Sequence, residues 1–143
     1  MPGPKLPQGS HVARQFGFLQ LDEAGKPRGS AFLPRAGEEY LSVNWLEKTG
    51  ATARADQLRI VRRHLIAKGR TLTVQGRFAI LDVDATCDYV REQTAGLRLL
   101  SAHDEEELPL DPSHAGIYGY DASDGPIADL IVDLIDEQYP ARE

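Results

Sequence analysis

Two kinds of hydrophobic periodicity alternate along this chain, and their order limits the folds that it can form. In Tyr40–Glu47 every second residue is apolar, which is typical of a strand with one buried face. In the segment 54–70 the apolar residues recur at helical spacing, which indicates a helix with a buried stripe. The stripe consists of Leu58, Val61 and Leu65. Because strand-type and helix-type segments follow one another in mixed order, the sequence predicts one α+β domain with a mostly antiparallel sheet and about three helices.

Strand-type patterns occur in several short segments. They are His11–Leu21, Ser30–Leu33, Tyr40–Glu47, Thr71–Val74, Arg77–Val83, Leu97–Leu100 and His114–Tyr120. The turn-forming residues of Asp22–Gly29 predict a hairpin between the first two segments. Thr71–Val74 and Arg77–Val83 are two strands, or one long strand with a bulge at Gly76.

Three helices are predicted from apolar stripes and end signals. Thr52 is the expected N-cap of the first helix, and Gly69 is its expected terminator. Asp84 is the expected N-cap of the second helix, which runs to about Gln93. The third, amphipathic helix begins near Pro126, a residue suited to the first helical turn. Its apolar stripe is Ile127, Leu130, Ile131, Leu134 and Ile135.

Length and composition predict one cytoplasmic domain. The chain has 143 residues, a usual size for one domain with one core. Residues 1–10 are rich in Pro and Gly and predict a flexible tail, which leaves 11–143 as the domain. The single cysteine, Cys87, is typical of a reducing compartment. The beginning of the chain lacks the apolar core of a signal peptide, and no segment is apolar enough to span a membrane.

Charge is divided unevenly along the chain, which has a net charge of −6. From Lys48 to Arg70 there are seven basic residues and one acid, whereas from Asp104 to Glu143 there are twelve acids and one base. The two regions can pair with each other, or one can offer a charged surface to another protein. The predicted binding residues on the basic helix are Arg59, Arg62 and Arg63.

Other ligand classes receive less support from the sequence. The overall acidity argues against a dedicated nucleic-acid-binding protein, although the basic helix 54–70 leaves an accessory role open. No glycine-rich phosphate loop is present, and the sequence predicts no cofactor. The four histidines have no metal-ligand spacing, so no metal site is predicted.

The segment Asp111–Gly119 is the strongest candidate for a catalytic site. His114 is a candidate general acid or base, with Asp111 as the carboxylate that orients it. The alternative is structural, with Asp111–Pro112–Ser113 forming a turn and His114 bonding to the backbone. Geometry in three dimensions distinguishes the two, because a short cluster in sequence is not a catalytic triad.

The segment Ser42–Glu47 contributes a second set of candidates. If Leu41, Val43 and Trp45 point to one face of a strand, then Ser42 and Asn44 point to the other and can line a cleft. Ser42 and Asn44 are therefore candidate catalytic residues. Trp45 is interpreted as a core anchor, with ligand binding as the alternative.

These two motifs, SVNWLE at 42–47 and DPSHAGI at 111–117, resemble those of a loosely defined group of small bacterial proteins with SVNW-like and DPxHAxI-like segments. The motifs cover 13 of the 143 residues. The resemblance implies a bacterial cytosolic protein encoded near toxin or defence genes. It implies no activity, so it assigns no catalytic role. It does imply that Ser42, Asn44, Trp45 and His114 belong to one shared feature.

Three functions follow as hypotheses. The first is a small bacterial interaction protein, an accessory or neutralising component of a toxin or defence system. The second is a small hydrolase or transferase that uses His114 with Asp111 or with the Ser42/Asn44 face. The third is an accessory nucleic-acid-binding protein. A deep pocket that joins His114 to Ser42 or Asn44 favours the enzyme.

Overall fold

The computed structural model describes residues 3–105 and 109–143. The strands are β1 (His11–Phe16), β2 (Tyr40–Trp45), β3 (Arg77–Asp82), β4 (Leu100–His103), β5 (His114–Tyr118) and β6 (Glu137–Pro140). The α-helices are α1 (Arg54–Ala67), α2 (Val83–Gln93) and α3 (Gly125–Val132), and short 3-10 turns occupy Phe18–Gln20, Gly29–Phe32 and Leu46–Thr49. This arrangement confirms the predicted single α+β domain.

The described strands form one antiparallel sheet with the order β4-β5-β2-β1-β3-β6. Helices α2 and α3 pack on one face, where Leu41, Val43, Val90 and Ile131 are buried together. Helix α1 packs on the opposite face. Its buried stripe Leu58, Val61 and Leu65 contacts Ala13, Phe78 and Ile80 of the sheet, as the helical spacing predicted.

The α1 face of the sheet is covered unevenly. Helix α1 lies over β1 and β3, whose residues share its apolar cluster. The β2–β5 half of the same face carries polar residues instead, because Ser42 and Asn44 point away from the side occupied by Leu41 and Val43. The alternation of β2 therefore sends its apolar residues to one core and its polar residues Ser42 and Asn44 to the opposite face, where Asn44 is buried.

Two of the predicted strands are wrong. Ser30–Leu33 is largely a 3-10 turn, because β2 and β3 already occupy both edges of β1 and leave no place for a return strand. Thr71–Val74 lies outside the strands, because β3 is hydrogen-bonded to β1 and β6 and offers it no free edge.

Two other boundaries are displaced from their predicted positions. The strand expected at Leu97–Leu100 begins at Leu100 and continues to His103, since pairing with β5 sets its register. Helix α3 ends at Val132, before Leu134 and Ile135, which are half-buried against the core. The chain then pairs with the free edge of β3 as β6, a strand that was not predicted.

The predicted helix terminator is confirmed, and two predicted caps are wrong. Gly69 follows α1 with φ of 87°, a left-handed conformation that favours glycine. The N-cap of α1 is Ala53 rather than Thr52. The N-cap of α2 is Asp82, whose carboxylate accepts from Ala85 N, because Asp84 instead accepts a hydrogen bond from Gly9 N at 2.8 Å.

The described part of the predicted tail lies against the sheet. Leu6 is 4% exposed and belongs to the core that includes Val12. Pro4 accepts a hydrogen bond from His103 N at 2.8 Å, and Lys5 forms an isolated bridge with Ala102. These contacts place the segment beside β4.

Candidate functional site

The register of β2 and β5 brings together residues that lie some seventy positions apart in the chain. Asn44 is opposite His114, and Ser42 is opposite Gly116. Residues paired in this way point to the same face, so Ser42 is a diagonal neighbour of His114. Both sequence motifs therefore contribute to one surface.

Ser42, His114 and Asp104 form a continuous hydrogen-bonded relay. Ser42 Oγ lies 2.6 Å from His114 Nε2, and His114 Nδ1 lies 2.8 Å from Asp104 Oδ2. Because a carboxylate only accepts, Nδ1–H donates to Asp104, and Nε2 of the neutral ring accepts from the serine hydroxyl. This is the tautomer that a histidine needs to take a proton from serine.

The relay is held by the strands that carry it. The imidazole is almost fully buried, with 4% of the His114 side chain exposed. Asp104 directly follows β4, and its backbone N–H donates to His114 O at 2.9 Å. The Ser42 carbonyl accepts from Arg14 Nη1 at 2.9 Å, beyond the two residue pairs that join β1 to β2. Each member is thus fixed through its backbone as well as its side chain.

Asp111 does not occupy the place predicted for it. Its fully buried carboxylate lies 2.9 Å from Lys68 Nζ and accepts from Asn44 Nδ2, also at 2.9 Å. The turn after Asp111 is closed by a backbone hydrogen bond from His114 N to Asp111 O at 3.1 Å. That turn directs the carboxylate to α1, while the β4–β5 pairing leaves Asp104 next to the His114 ring.

Asn44 forms side-chain hydrogen bonds to the loop before β5 and, as far as the structure describes the chain, none to the members of the relay. Its amide nitrogen donates to Asp111 Oδ1 and to Ser113 Oγ, each at 2.9 Å. Both amide hydrogens are therefore used to hold the loop that precedes β5. This assigns Asn44 a positioning role, whereas the sequence offered it as a catalytic candidate.

A pocket of about 390 Å³ opens over this surface. Ser42, Asn44 and His114 line it together with Tyr40 of β2. The absence of a side chain at Gly116 makes room for the aromatic rings, because a Cβ there would lie 2.8 Å from Tyr40 Cδ2. The pocket therefore joins His114 to both Ser42 and Asn44.

Basic residues surround the pocket. Within residues 3–105 and 109–143, its lining includes four basic residues, Arg14, Arg35, Lys68 and Arg70, and one carboxylate, Glu38. Burial is the main cause that lowers the pKa of Arg14 to about 10, with smaller contributions from the charges of Arg35 and Arg70. At that pKa the Arg14 guanidinium is still charged near neutral pH.

The binding residues predicted on α1 lie apart from this pocket. Arg62 donates to the carbonyls of Pro140 and Ala141 at 2.7 and 3.0 Å and contacts Glu143 at 3.3 Å. Arg59 forms ion pairs with Asp56 and Glu143, whereas Arg63 is exposed. Within the described residues, the basic helix thus pairs in part with the protein's own C-terminal segment.

Trp45 and Cys87 belong to the other side of the sheet. Trp45 is half-buried against the core and meets His103 edge to face, with ring centroids 5.5 Å apart. Burial, with smaller contributions from Asp84 and Asp88, raises the pKa of the Cys87 thiol to about 11. A thiol with that pKa is a poor nucleophile near neutral pH.

The sequence did not single out Asp104, Lys68 or Arg14 for this site. Asp104 stood among the acids of the C-terminal region, and Lys68 among the bases of the first helix. Arg14 carried one usable signal, since a charged residue between the apolar positions 12 and 16 of a strand requires a partner.

Comparisons with family models, with curated proteins and with solved structures give no match for this chain. Among the described helices, none is both long and apolar enough to cross a bilayer. The described residues contain no cluster of three or more His, Cys, Asp or Glu side chains arranged to hold a metal ion. The function is therefore argued from the relay and its pocket.

Proposed function

We propose that this protein is a hydrolase in which Ser42 is the nucleophile, His114 the general base and Asp104 the residue that orients His114. The observation that carries the proposal is the relay from Asp104 through His114 to Ser42, together with the pocket onto which it opens. Nucleophile, base and orienting carboxylate in hydrogen-bond contact are the geometric signature of activated serine.

The chemistry follows from the positions of the protons. Ser42 Oγ attacks the carbonyl carbon of an ester, and His114 Nε2 takes the hydroxyl proton as that bond forms. The imidazolium that results is stabilised by the Asp104 carboxylate. His114 then gives the proton to the departing alkoxide, which leaves an acyl-Ser42. A water molecule, activated by the same nitrogen, releases the acid and restores Ser42.

The basic lining supports this chemistry. Negative charge develops on the carbonyl oxygen in the transition state, and positioned cations stabilise it best in a site with little water. The partly buried guanidinium of Arg14 is held at the backbone carbonyl of Ser42 and so supplies fixed positive charge to the pocket.

The test is covalent labelling with a fluorophosphonate probe, which reacts with activated serines. We expect one adduct on Ser42, identified by mass spectrometry of the peptides, and loss of labelling in Ser42→Ala and His114→Gln. Ser123→Ala is the matched control, since its hydroxyl donates to Asp121 on the exposed surface. Absence of any adduct on the folded protein, or equal labelling of Ser42→Ala, would contradict the proposal.

A second proposal, a protein-interaction role, draws support from the outer surface of α1. Arg63 is exposed and lines a shallow groove with Arg142 and Ile66. Ile66 is an apolar residue with 59% of its surface exposed. A basic surface next to apolar area suits an acidic partner protein, such as a component of a toxin or defence system. Nucleic acid, bound through residues 54–70, is the alternative ligand of this surface.

Salt and charge reversal test whether this surface binds by charge once a partner is identified. Arg63→Glu is the informative variant, because Arg62 holds the C-terminal segment and its replacement would disturb the fold as well. We expect Arg63→Glu and added salt each to weaken binding to an acidic protein. An affinity that neither Arg63→Glu nor added salt alters would argue against this role. Binding of labelled duplex DNA would favour nucleic acid as the ligand.

A further inference from the structure

We infer that the pocket beside Ser42 binds the anionic end of its ligand, a phosphate or carboxylate group held by Arg14, Arg35 and Arg70. As a statement about a substrate, this inference rests on the proposed hydrolase function. As a statement about binding, it rests on the lining of the pocket alone.

The three arginines have few partners in the protein. Within the described part of the chain, neither Arg35 nor Arg70 forms an ion pair or a side-chain hydrogen bond, and both are exposed. Among the described lining residues, Glu38 is the only carboxylate. The described lining therefore carries more positive than negative charge, and such a surface attracts an anion.

Arg14 gives the cluster a fixed member. Its Nε donates to Ala31 O at 2.8 Å and its Nη1 to Ser42 O at 2.9 Å, so the guanidinium plane is held in one orientation. The repulsion among the three arginines contributes to the lowered pKa of Arg14. An oxyanion between these groups would relieve that repulsion and accept charge-assisted hydrogen bonds, which are the strong class.

The position of the cluster determines which part of a substrate it would hold. Arg14 bonds to the backbone of Ser42 itself, so an anion at the cluster lies next to the nucleophile without occupying it. The pocket volume of about 390 Å³ is in the range of sites for small molecules. The inferred substrate is accordingly a small ester whose acyl or alcohol part ends in a phosphate or carboxylate.

The first experiment measures binding without requiring catalysis. Inorganic phosphate and succinate are titrated separately into wild-type protein and into Ser42→Ala by calorimetry. We expect at least one of the two anions to bind both proteins equally, and the comparison identifies the preferred oxyanion. In Arg35→Gln/Arg70→Gln we expect the affinity to fall by about tenfold or more, since each charge-assisted contact is worth a sizeable part of that factor.

Arg98→Gln is the matched control, because Arg98 is exposed and lines a different surface depression. Its affinity for the anion should equal that of the wild type. The unfolding midpoints of all variants are measured in parallel. Arg35 and Arg70 are also replaced one at a time. The exposed positions of Arg35 and Arg70 make loss of folding an unexpected result.

The second experiment compares two esters of similar size, mono-4-nitrophenyl succinate and 4-nitrophenyl butyrate. The anionic ester should give the higher kcat/KM, and the double arginine variant should lose that preference. Failure of both anions to bind, or unchanged binding in the double variant, would overturn the inference. Anion binding without fluorophosphonate labelling would refute only the hydrolase proposal.

Discussion

The two halves of the sheet face that carries α1 differ in how they are stabilised. Over β1 and β3 the face is apolar, and Phe78 and Ile80 are fully buried under the stripe of α1. Over β2 and β5 the same face carries Ser42, Asn44 and His114, joined by hydrogen bonds to Asp104 and Asp111. In the first half, the stabilisation comes from burial of apolar area, which does not depend on the direction of a contact. In the second half, hydrogen bonds require particular distances and angles between the side chains.

The site lies at the C-terminal end of α1, whose Leu65 borders the pocket. Asn44 and His114 are themselves buried, and hydrogen bonds to Asp111 and Asp104 satisfy them, which an apolar stripe over β2 could not do. Instead, α1 ends near this half and supplies Lys68, whose ammonium group lies 2.9 Å from Asp111. The apolar packing and the site of the proposed activity thus occupy neighbouring parts of one sheet face, and substitutions should separate their effects.

The largest expected effect is on activity, in the polar half. His114→Gln should lower kcat/KM by about 10⁴-fold or more, because the amide keeps a hydrogen bond but cannot carry the proton. The free energy of unfolding should fall by only about 1–2 kcal/mol. His11→Gln is the control, since His11 also pairs with a carboxylate, Glu47, but outside the pocket. Hydrolysis of the succinate ester by His114→Gln at the wild-type rate would show that the relay is structural.

The next effect is on stability, in the apolar half. Phe78→Ala should lower the free energy of unfolding by about 3–5 kcal/mol, the usual result of emptying a buried aromatic site. The folded fraction should keep its kcat/KM. Phe18→Ala, at a site with 55% exposure, should change stability by less than about 0.5 kcal/mol. Urea denaturation measures both, and a large loss of kcat/KM in folded Phe78→Ala would show that the halves are coupled.

The two aspartates near His114 should separate activity from stability. Asp104→Asn should lower kcat/KM by about 10²-fold or more, because the amide disturbs the tautomer of His114. Asp111→Asn should cost about 1.5–3 kcal/mol of stability, because it weakens the contact with Lys68. Thermal melts and ester hydrolysis test both. If Asp111→Asn abolished activity and Asp104→Asn did not, Asp111 would be the functional partner of His114.

The smallest effect concerns β6, at the edge of the apolar half. The hydrogen bond from Tyr139, followed by the contacts with Arg54, lowers the pKa of Glu137 below its ordinary value of 4.5. A lowered folded-state pKa means that the contribution is present above the ordinary value and is lost as the pH falls through the lowered one. Glu137→Gln should therefore cost less than about 1 kcal/mol at neutral pH, since the carboxylate is partly exposed, and nothing in strong acid. An equal cost at both pH values would contradict this origin.

Parts of the fold follow from local pattern, and the structure confirms them. The period of two in β2 separated Leu41 and Val43 from Ser42 and Asn44, and the spacing of Leu58, Val61 and Leu65 identified the buried stripe of α1. The prediction was wrong where a strand-like segment had no strand to pair with. Ser30–Leu33 has strand-like composition, but no edge of β1 was free to receive it.

The two motifs of the candidate site were predictable from the sequence, and so was the hypothesis that they meet, but not the residues that complete the site. Strand alternation drew attention to Ser42 and Asn44, and the cluster of Asp, Ser and His between a proline and glycines drew attention to Asp111 and His114. The sequence could not reveal that Asp104 would orient His114, because that contact depends on the register of β4 with β5. Nor could it place Arg14 at Ser42, since β1 and β2 are adjacent through tertiary pairing alone.

The sequence by itself determined that β2 is a strand with one apolar face, where α1 buries its stripe, and which polar residues are left on the other side of β2. These properties depend on neighbours within a few positions, where periodicity and backbone preferences act. Only the tertiary structure decided which carboxylate meets His114, which cations surround Ser42, and where β6 pairs. Those contacts join residues separated by ten to more than seventy positions, and they are fixed by strand order and register, which the whole sheet selects.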